Sequence, residues 1–223
     1  EMSSALCSID RVSASANMNN RLSEAIVEAY KSTNGAPISF ELMLKCYQSR
    51  MKDANNDDSI SSVLKQLVNA HIFESEDKVS LIDDSYIIKM DGYPKDGPIA
   101  KAIVYFLMSK LNNIYELLDK QAVNDEVVQI RHFSIIDEAH YMLDFDNRPL
   151  RNLIAVGRNK GLSIILATQN MSSFKSKGFD FYANAQYPLI MKQQTIDDKV
   201  IKDLFGVSGQ ELQEIRTAIA GLQ

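Results

Sequence analysis

Between Arg21 and Ser32 the apolar residues Leu22, Ile26, Val27 and Tyr30 recur at helical spacing, and Asn34-Gly35 follows as a C-cap signal. Ser39 to about Lys52 reads as a second helix with Ser39 as its N-cap. After a polar stretch from Asp53 to Asp58, Ile60, Val63, Leu64, Leu67 and Val68 repeat at i, i+3, i+4, i+7 and i+8. That stripe predicts a third amphipathic helix. Residues 1 to 18 are rich in Ser and Ala without a clear period and read as a loop or the end of an element. Val79 to Met90 then alternates as a β-hairpin would, with Asp83-Asp84-Ser85 at the turn and Tyr86-Ile87-Ile88 returning.

Asp91-Gly92-Tyr93-Pro94 breaks this pattern, and Pro98 opens a long helix from about Ile99 to Lys120. Its apolar stripe is Ile103, Phe106, Leu107, Leu111, Ile114 and Leu118. Downstream, strands are expected at Val127–Ile136, Leu162–Ala167 and Tyr187–Lys192, with helices at Pro149–Arg158, Asp197–Leu204 and Gly209–Ala220. Near-continuous apolar runs alternating with helices imply a parallel sheet covered on both faces. The expected organisation is therefore an N-terminal loop or truncated element over 1–19, a helical subdomain over 20–78 and an α/β core over 79–223. No internal repeat or low-complexity tract interrupts it.

Composition adds bounds. A chain of 223 residues, 45% hydrophobic and 24% charged, has ordinary globular usage and length for one or two domains. No apolar run approaches the roughly 18 residues of a membrane span, and no signal peptide is recognisable. Cys7 and Cys46 form no metal pattern or disulfide framework, which suits a reducing cytoplasm. The abrupt Glu1-Met2 start is the expectation for a piece of a longer protein.

The net charge of −5 argues against a generally basic nucleic-acid binder. From Asn147 to Phe179, however, Arg148, Arg151, Arg158, Lys160, Lys175 and Lys177 occur with no acidic residue among them. Such a segment is either a solvated basic face or a place where anions such as phosphates are met. Three helices and a hairpin also outline a winged helix. Its third helix, though, offers only Lys65 as a cation and starts beside Asp57 and Asp58, so packing is the better reading.

The chemistry concentrates at His132-Phe133-Ser134-Ile135-Ile136-Asp137-Glu138-Ala139-His140. An apolar strand ending in Asp-Glu can carry one carboxylate to a Mg²⁺ shell and use the next to orient an attacking water. Gly157-Arg158-Asn159-Lys160-Gly161 follows, then an apolar run from Leu162 to Leu166 ending in Ala167-Thr168-Gln169. In a parallel sheet, ligands bind at the carboxyl ends of the strands. Adjacent strands would bring Asp137, Glu138, Thr168 and Gln169 to one rim. Arg158, before the second strand, lies at the opposite end and would face a neighbouring subunit.

Each piece has a plainer reading. Strands often end in Asp-Glu, Thr-Gln can be a turn, and Arg158 can cap a helix. His140 is the weakest member and reads as a packing or supporting residue. None of the glycines is followed by lysine, so no G-x-x-x-x-G-K-[ST] loop is present to cradle phosphates. His71, His132 and His140 lack metal-ligand spacing, and no G-x-S-x-G motif supports covalent catalysis.

The runs I-I-D-E-A-H and G-R-N-K-G-L-S-I-I-L-A-T-Q-N resemble the HerA/FtsK superfamily of ring-forming, DNA-pumping ATPases. The resemblance is specific over Phe133 to Asn170 and looser from Arg21, since HerA-type proteins carry a helical insertion between their nucleotide motifs. More narrowly, the chain resembles the C-terminal part of the DptH or DndH type of ATPase in DNA-phosphorothioation-dependent restriction systems. The resemblance implies a partial RecA-like P-loop NTPase core with a helical insertion, working on ATP and Mg²⁺. Asp137 would be the Walker B aspartate, reaching Mg²⁺ through water, and Glu138 the catalytic glutamate.

Thr168 and Gln169 would meet the nucleotide, Gln169 as sensor, and Arg158 would act across a subunit interface. The implied partners are double-stranded DNA, further copies in a ring (a hexamer in this superfamily) and other restriction-system subunits, in the cytoplasm and without a membrane. Lys175 and Lys177 are DNA-contact candidates by charge and loop position alone. Without a phosphate loop upstream, the chain is expected to be inactive by itself.

Two other readings remain. D-E-A-H matches the DEAH-box helicases as letters, but those place S-A-T after the next strand and need a later Q-R-x-G-R motif. A non-catalytic scaffold with a degenerate ATPase fold is the other.

Overall fold

The computed structural model describes residues 6, 14–34, 36–53, 57–72, 80–124, 127–143, 145–169, 171–176, 179–193 and 195–222. It is a mixed α/β structure in two compact units, Glu1–Asp119 with Phe145–Leu153, and Lys120–Asp144 with Ile154–Gln223.

The first unit is helical. It contains α1 (Ala16–Ser32), α2 (Phe40–Gln48), α3 (Ser59–Asn69) and α4 (Pro98–Leu117). Ser15 caps α1 by accepting from the Met18 amide, so that helix starts ahead of the expected Arg21 and inside the segment expected to be a loop. Ser39 caps α2 as expected. Asp58 and Ser61 form a reciprocal capping box on α3, satisfying two orphan donors. Pro98 stands at the first position of α4, where its missing N–H costs nothing.

These helices share one core of Leu22, Ala25, Ala29, Met43, Tyr47, Leu64, Leu67, Ala102 and Tyr105 among others. Burying each large apolar side chain stabilises by roughly 1.5–3 kcal/mol. The buried face of α1 differs from the expected one: Val27 is 52% exposed and Tyr30 47%, while Leu22, Ala25 and Ala29 are buried. Two alanines let a neighbouring helix approach closely, and a search for large apolar residues passes them over. The α3 stripe behaves as expected, with Ile60, Val63, Leu64 and Leu67 all buried.

One polar node ties α1, α2 and α3 together. The Tyr47 hydroxyl donates to Asp58 Oδ2 at 2.6 Å, and Arg21 Nη1 reaches the same oxygen at 3.1 Å. The Arg21 guanidinium also lies over the Tyr47 ring, 5.5 Å from its centroid. Burial, and then the Asp58 carboxylate, push the Tyr47 phenol well above its ordinary value, so it remains a donor.

The expected hairpin does not form among its described residues, 80 to 90; Val79 lies outside them. Ser80 and Asp83 make a turn closed by a 2.5 Å contact between Ser80 Oγ and Asp83 Oδ2. Ser85 to Met90 then continues without a ladder, with Ile87 almost fully exposed. Lys65, the sole cation of the third helix, pairs with Asp57 Oδ2 at 2.6 Å. Among the described residues neither a wing nor an unpaired cation on this helix supports a winged helix.

The second unit carries β1 (Val123–Asn124) antiparallel to β2 (Val127–Val128), and β3 (His132–Ile136) parallel to β4 (Leu162–Leu166). It also holds α5 (His140–Leu143), β5 (Lys175–Ser176) antiparallel to β6 (Phe179–Asp180), α7 (Phe181–Asn184), α8 (Asp198–Phe205) and α9 (Gly209–Gly221). Helix α6 (Arg148–Val156) runs across the division between the units and leads into a 3-10 turn, Gly157–Lys160. In the second unit α8 and α9 bury Ile201, Leu212 and Ile219 against Ile190 and Ile196.

Two strand expectations fail in this unit, one at a bend and one for lack of a ladder partner. The strand expected over Val127–Ile136 is split, because the chain bends around Gly161: the Arg131 and His132 amides both donate to its carbonyl. Gly161 itself has φ +82°, and a Cβ there would stand 2.7 Å from the Gln129 carbonyl oxygen. The strand expected at Tyr187–Lys192 has no regular structure, and Leu189 is 91% exposed. The parallel sheet among the described residues is therefore the β3–β4 pair. No described helix is long and apolar enough to cross a membrane.

Candidate functional site

The β3–β4 pair runs in register from His132 opposite Leu162 to Ile136 opposite Leu166. Phe133, Ile135 and Ile136 in β3 and Ile164 and Ile165 in β4 are aromatic or β-branched, which suits a pleated surface. Backbone bonds continue past the strand ends: Ala167 N donates to Ile136 O at 2.9 Å, and Ala139 N to Ala167 O at 2.8 Å. The turn after β3 is thereby fastened to the end of β4. It carries Asp137 and Glu138 to the rim where Thr168 and Gln169 emerge.

Glu138 adopts φ +50°, the left-handed region that a side chain with a Cβ rarely enters. Such a residue costs on the order of 1–3 kcal/mol and persists only when its surroundings fix it. Here the Glu138 amide donates to Asp137 Oδ1 at 2.9 Å, and its carbonyl accepts from Tyr141 N at 3.1 Å. The following Ala139 is fully buried.

The Glu138 carboxylate is held from the neighbouring strand. Gln169 Nε2 donates to its Oε1 at 2.7 Å. The other oxygen, Oε2, is closed to solvent and accepts no hydrogen bond among the described residues, although His140 Nδ1 stands 3.3 Å from it. The same nitrogen lies 3.3 Å from Thr168 Oγ1. The imidazole also rests against the Tyr141 ring, with centroids 4.1 Å apart.

Glu138, Thr168 and Gln169 are thus brought together, and Asp137 sits exposed beside them with one carboxylate oxygen taken by the Glu138 amide. His140, which sequence reasoning ranked last, belongs to this cluster. Its signal was spacing: it opens α5 two residues after Glu138, close enough for the turn to fold it back.

Arg158 lies apart, in the 3-10 turn before β4 begins. With the Gln186 carboxamide turned so that its oxygen faces the guanidinium, it accepts from Nη1 at 2.5 Å and Nη2 at 3.1 Å. A neutral amide orients the fork without neutralising it, which leaves the charge available to an anion. Nothing in the sequence pointed to Gln186. Of the DNA-contact candidates, Lys177 lies outside the described residues, and for Lys175 only the backbone is described, in β5.

Among the described residues no group of three or more His, Cys, Asp or Glu side chains could hold a metal ion by itself. Mg²⁺ in nucleotide sites takes one or two carboxylates and otherwise waters and phosphates, so an exposed Asp137 at a strand end fits that requirement. The donor set therefore fits the water-orienting half of a nucleotide site. It does not supply the phosphate-cradling half. Cys46 is free and buried in the first unit. No protein-family model matches the chain, and no curated protein matches it significantly.

Proposed function

We propose that this chain carries the hydrolytic rim of a RecA-like ATPase of the HerA/FtsK kind, one that moves or remodels double-stranded DNA in a phosphorothioation-dependent restriction system. The observation that carries this reading is the left-handed Glu138 at the end of β3, bonded to Gln169 at the end of the adjacent parallel strand β4. The open apolar face of Phe133, Ile135 and Ile165 on the β3–β4 pair also favours it, since a wider parallel sheet would be covered there.

Mg²⁺, when bound with ATP, would supply charge neutralisation at the phosphates. The chain's own residues do the rest. Asp137 would hold the metal through water. Glu138 orients the attacking water and takes its proton once Gln169 lets go of Oε1. Gln169, exposed and ending a strand, can turn instead to the terminal phosphate. Thr168 lines the same rim. Arg158, oriented by Gln186, is offered to a nucleotide on a neighbouring copy. The phosphate cradle, absent from this sequence, comes in this reading from a G-x-x-x-x-G-K-[ST] loop on another segment, without which the chain is inactive. Assembly into a ring, other restriction-system subunits as partners and a cytoplasmic location belong to the same proposal.

The test is ATP turnover by the protein carrying that loop, with double-stranded DNA present. Glu138→Gln keeps the Gln169 contact sterically and removes the base, so turnover should fall by about 10²–10⁴-fold. Undiminished turnover would leave the non-catalytic scaffold as the better reading.

A further inference from the structure

We propose that His140 is a positioning residue for Glu138, donating from Nδ1 to carboxylate Oε2 while Thr168 steadies the ring. The inference rests on the ATPase reading for its functional part and on geometry for its structural part. A buried carboxylate oxygen without a donor is costly, and Glu138 Oε2 is in that position. His140 Nδ1 faces it at 3.3 Å, and a small ring rotation would close the contact to an ordinary hydrogen bond. Thr168 Oγ1, at 3.3 Å from the same nitrogen, can share that N–H as a second acceptor and keeps Nδ1 turned toward the end of β4. The Tyr141 ring bounds the imidazole on the helix side.

The division of labour between the two oxygens follows. Oε1 is held by Gln169, whose exposed side chain can be drawn away by a terminal phosphate. Oε2 is held in this scheme by the His140 ring, which lies beside Tyr141 and Thr168, and it stays held. When Gln169 leaves, the carboxylate therefore frees one oxygen for water without losing its orientation. His140 touches no substrate in this scheme and acts only through Glu138. Holding a reacting group in its productive orientation is a recognised source of rate.

The experiment has two arms. In the first, ¹⁵N spectra of the histidine side chains are recorded on this chain at a pH where the imidazole is neutral, with His140 assigned by its loss in His140→Asn. The expected result is the Nδ1–H form, since the bond made by one ring nitrogen selects the tautomer. Glu138→Ala should shift it toward the Nε2–H form. An Nε2–H form in the unsubstituted chain, or a spectrum unmoved by Glu138→Ala, would overturn the contact.

The second arm is ATP turnover in the loop-bearing protein. His140→Ala should lower kcat about ten-fold with KM for ATP unchanged, the scale seen when a supporting hydrogen bond is removed. His140→Asn, whose amide nitrogen can occupy the place of Nδ1, should recover most of the loss. A kcat unmoved by His140→Ala, or a loss that His140→Asn does not recover, overturns the positioning role. Undiminished turnover in Glu138→Gln overturns the ATPase reading and the positioning role with it. The spectroscopic arm needs no turnover, so the two failures are distinguishable.

Discussion

The two units solve the burial problem differently. In the first, α1, α2 and α3 close a core in which Leu22, Tyr47, Leu64 and Leu67 are fully buried. In the second, the parallel pair leaves Ile135 69% exposed and Phe133 55% exposed, and an extended segment leaves Leu189 and Met191 in solvent. A helix satisfies its own backbone and needs a neighbour only for one stripe. A strand needs a partner edge for its backbone, and a parallel pair needs cover on both faces, all from elsewhere in the chain or beyond it. The difference teaches where function has room. The closed unit uses polar residues in caps, surface ion pairs and the Tyr47–Asp58–Arg21 node, whereas the open one presents a strained carboxylate at a strand end.

The comparison can be broken most forcefully in the closed core. Leu64→Ala should cost about 3 kcal/mol, since the site is fully buried and cannot collapse freely. Urea unfolding followed through amide exchange in α1–α3 would measure it. A cost under about 1 kcal/mol would mean that this core is looser than described.

Gly161→Ala tests the second unit at its tightest backbone point. The substitution puts a Cβ 2.7 Å from Gln129 O at φ +82°. A loss of about 2 kcal/mol is expected, together with loss of exchange protection in β3 and β4. A neutral result would disconnect the bend at Gly161 from the pairing of the strands.

His132 gives a pH handle on the second unit alone. Burial holds its imidazole below the ordinary value of 6.5. The unfolded chain then binds a proton before the folded one does. The stability His132 contributes is therefore present above pH 6.5 and is lost as pH falls from there through the lowered folded value. His132→Phe should flatten that part of the stability–pH curve, and an unchanged slope would assign it to other groups.

The smallest effect is the sharpest test of openness. Ile135→Thr keeps a β-branched side chain on an exposed position and should change stability by less than about 0.5 kcal/mol. A loss of 2 kcal/mol or more would show that something covers this face in solution.

Local signals were read well. Ser39 as a cap, the α3 stripe, and the approximate extents of α4, α8 and α9 were all legible, because each depends on residues three or four apart. The alanine face of α1 was not, since Ala25 and Ala29 are buried for their small size rather than their apolarity. The hairpin over Val79–Met90 was expected from alternation and the Asp83-Asp84-Ser85 turn, and the strand over Tyr187–Lys192 from an apolar run; neither pattern says whether a partner edge exists.

At the candidate site, the sequence by itself determined which side chains were available: the apolar runs, the Asp-Glu pair after one and the Thr-Gln pair after the other. It also determined that this chain brings no phosphate loop. Only the tertiary structure decided that β3 and β4 are neighbours, that Glu138 is bent into the left-handed region, and that Gln169 and His140 face its two carboxylate oxygens. It also set the Gln186 carboxamide beside the Arg158 guanidinium, where its oxygen accepts once the amide is turned. The physical reason is one of range. Propensity, capping and periodicity act within a turn or two of chain, whereas strand pairing and the contacts that strain a single residue are made between segments some thirty residues apart.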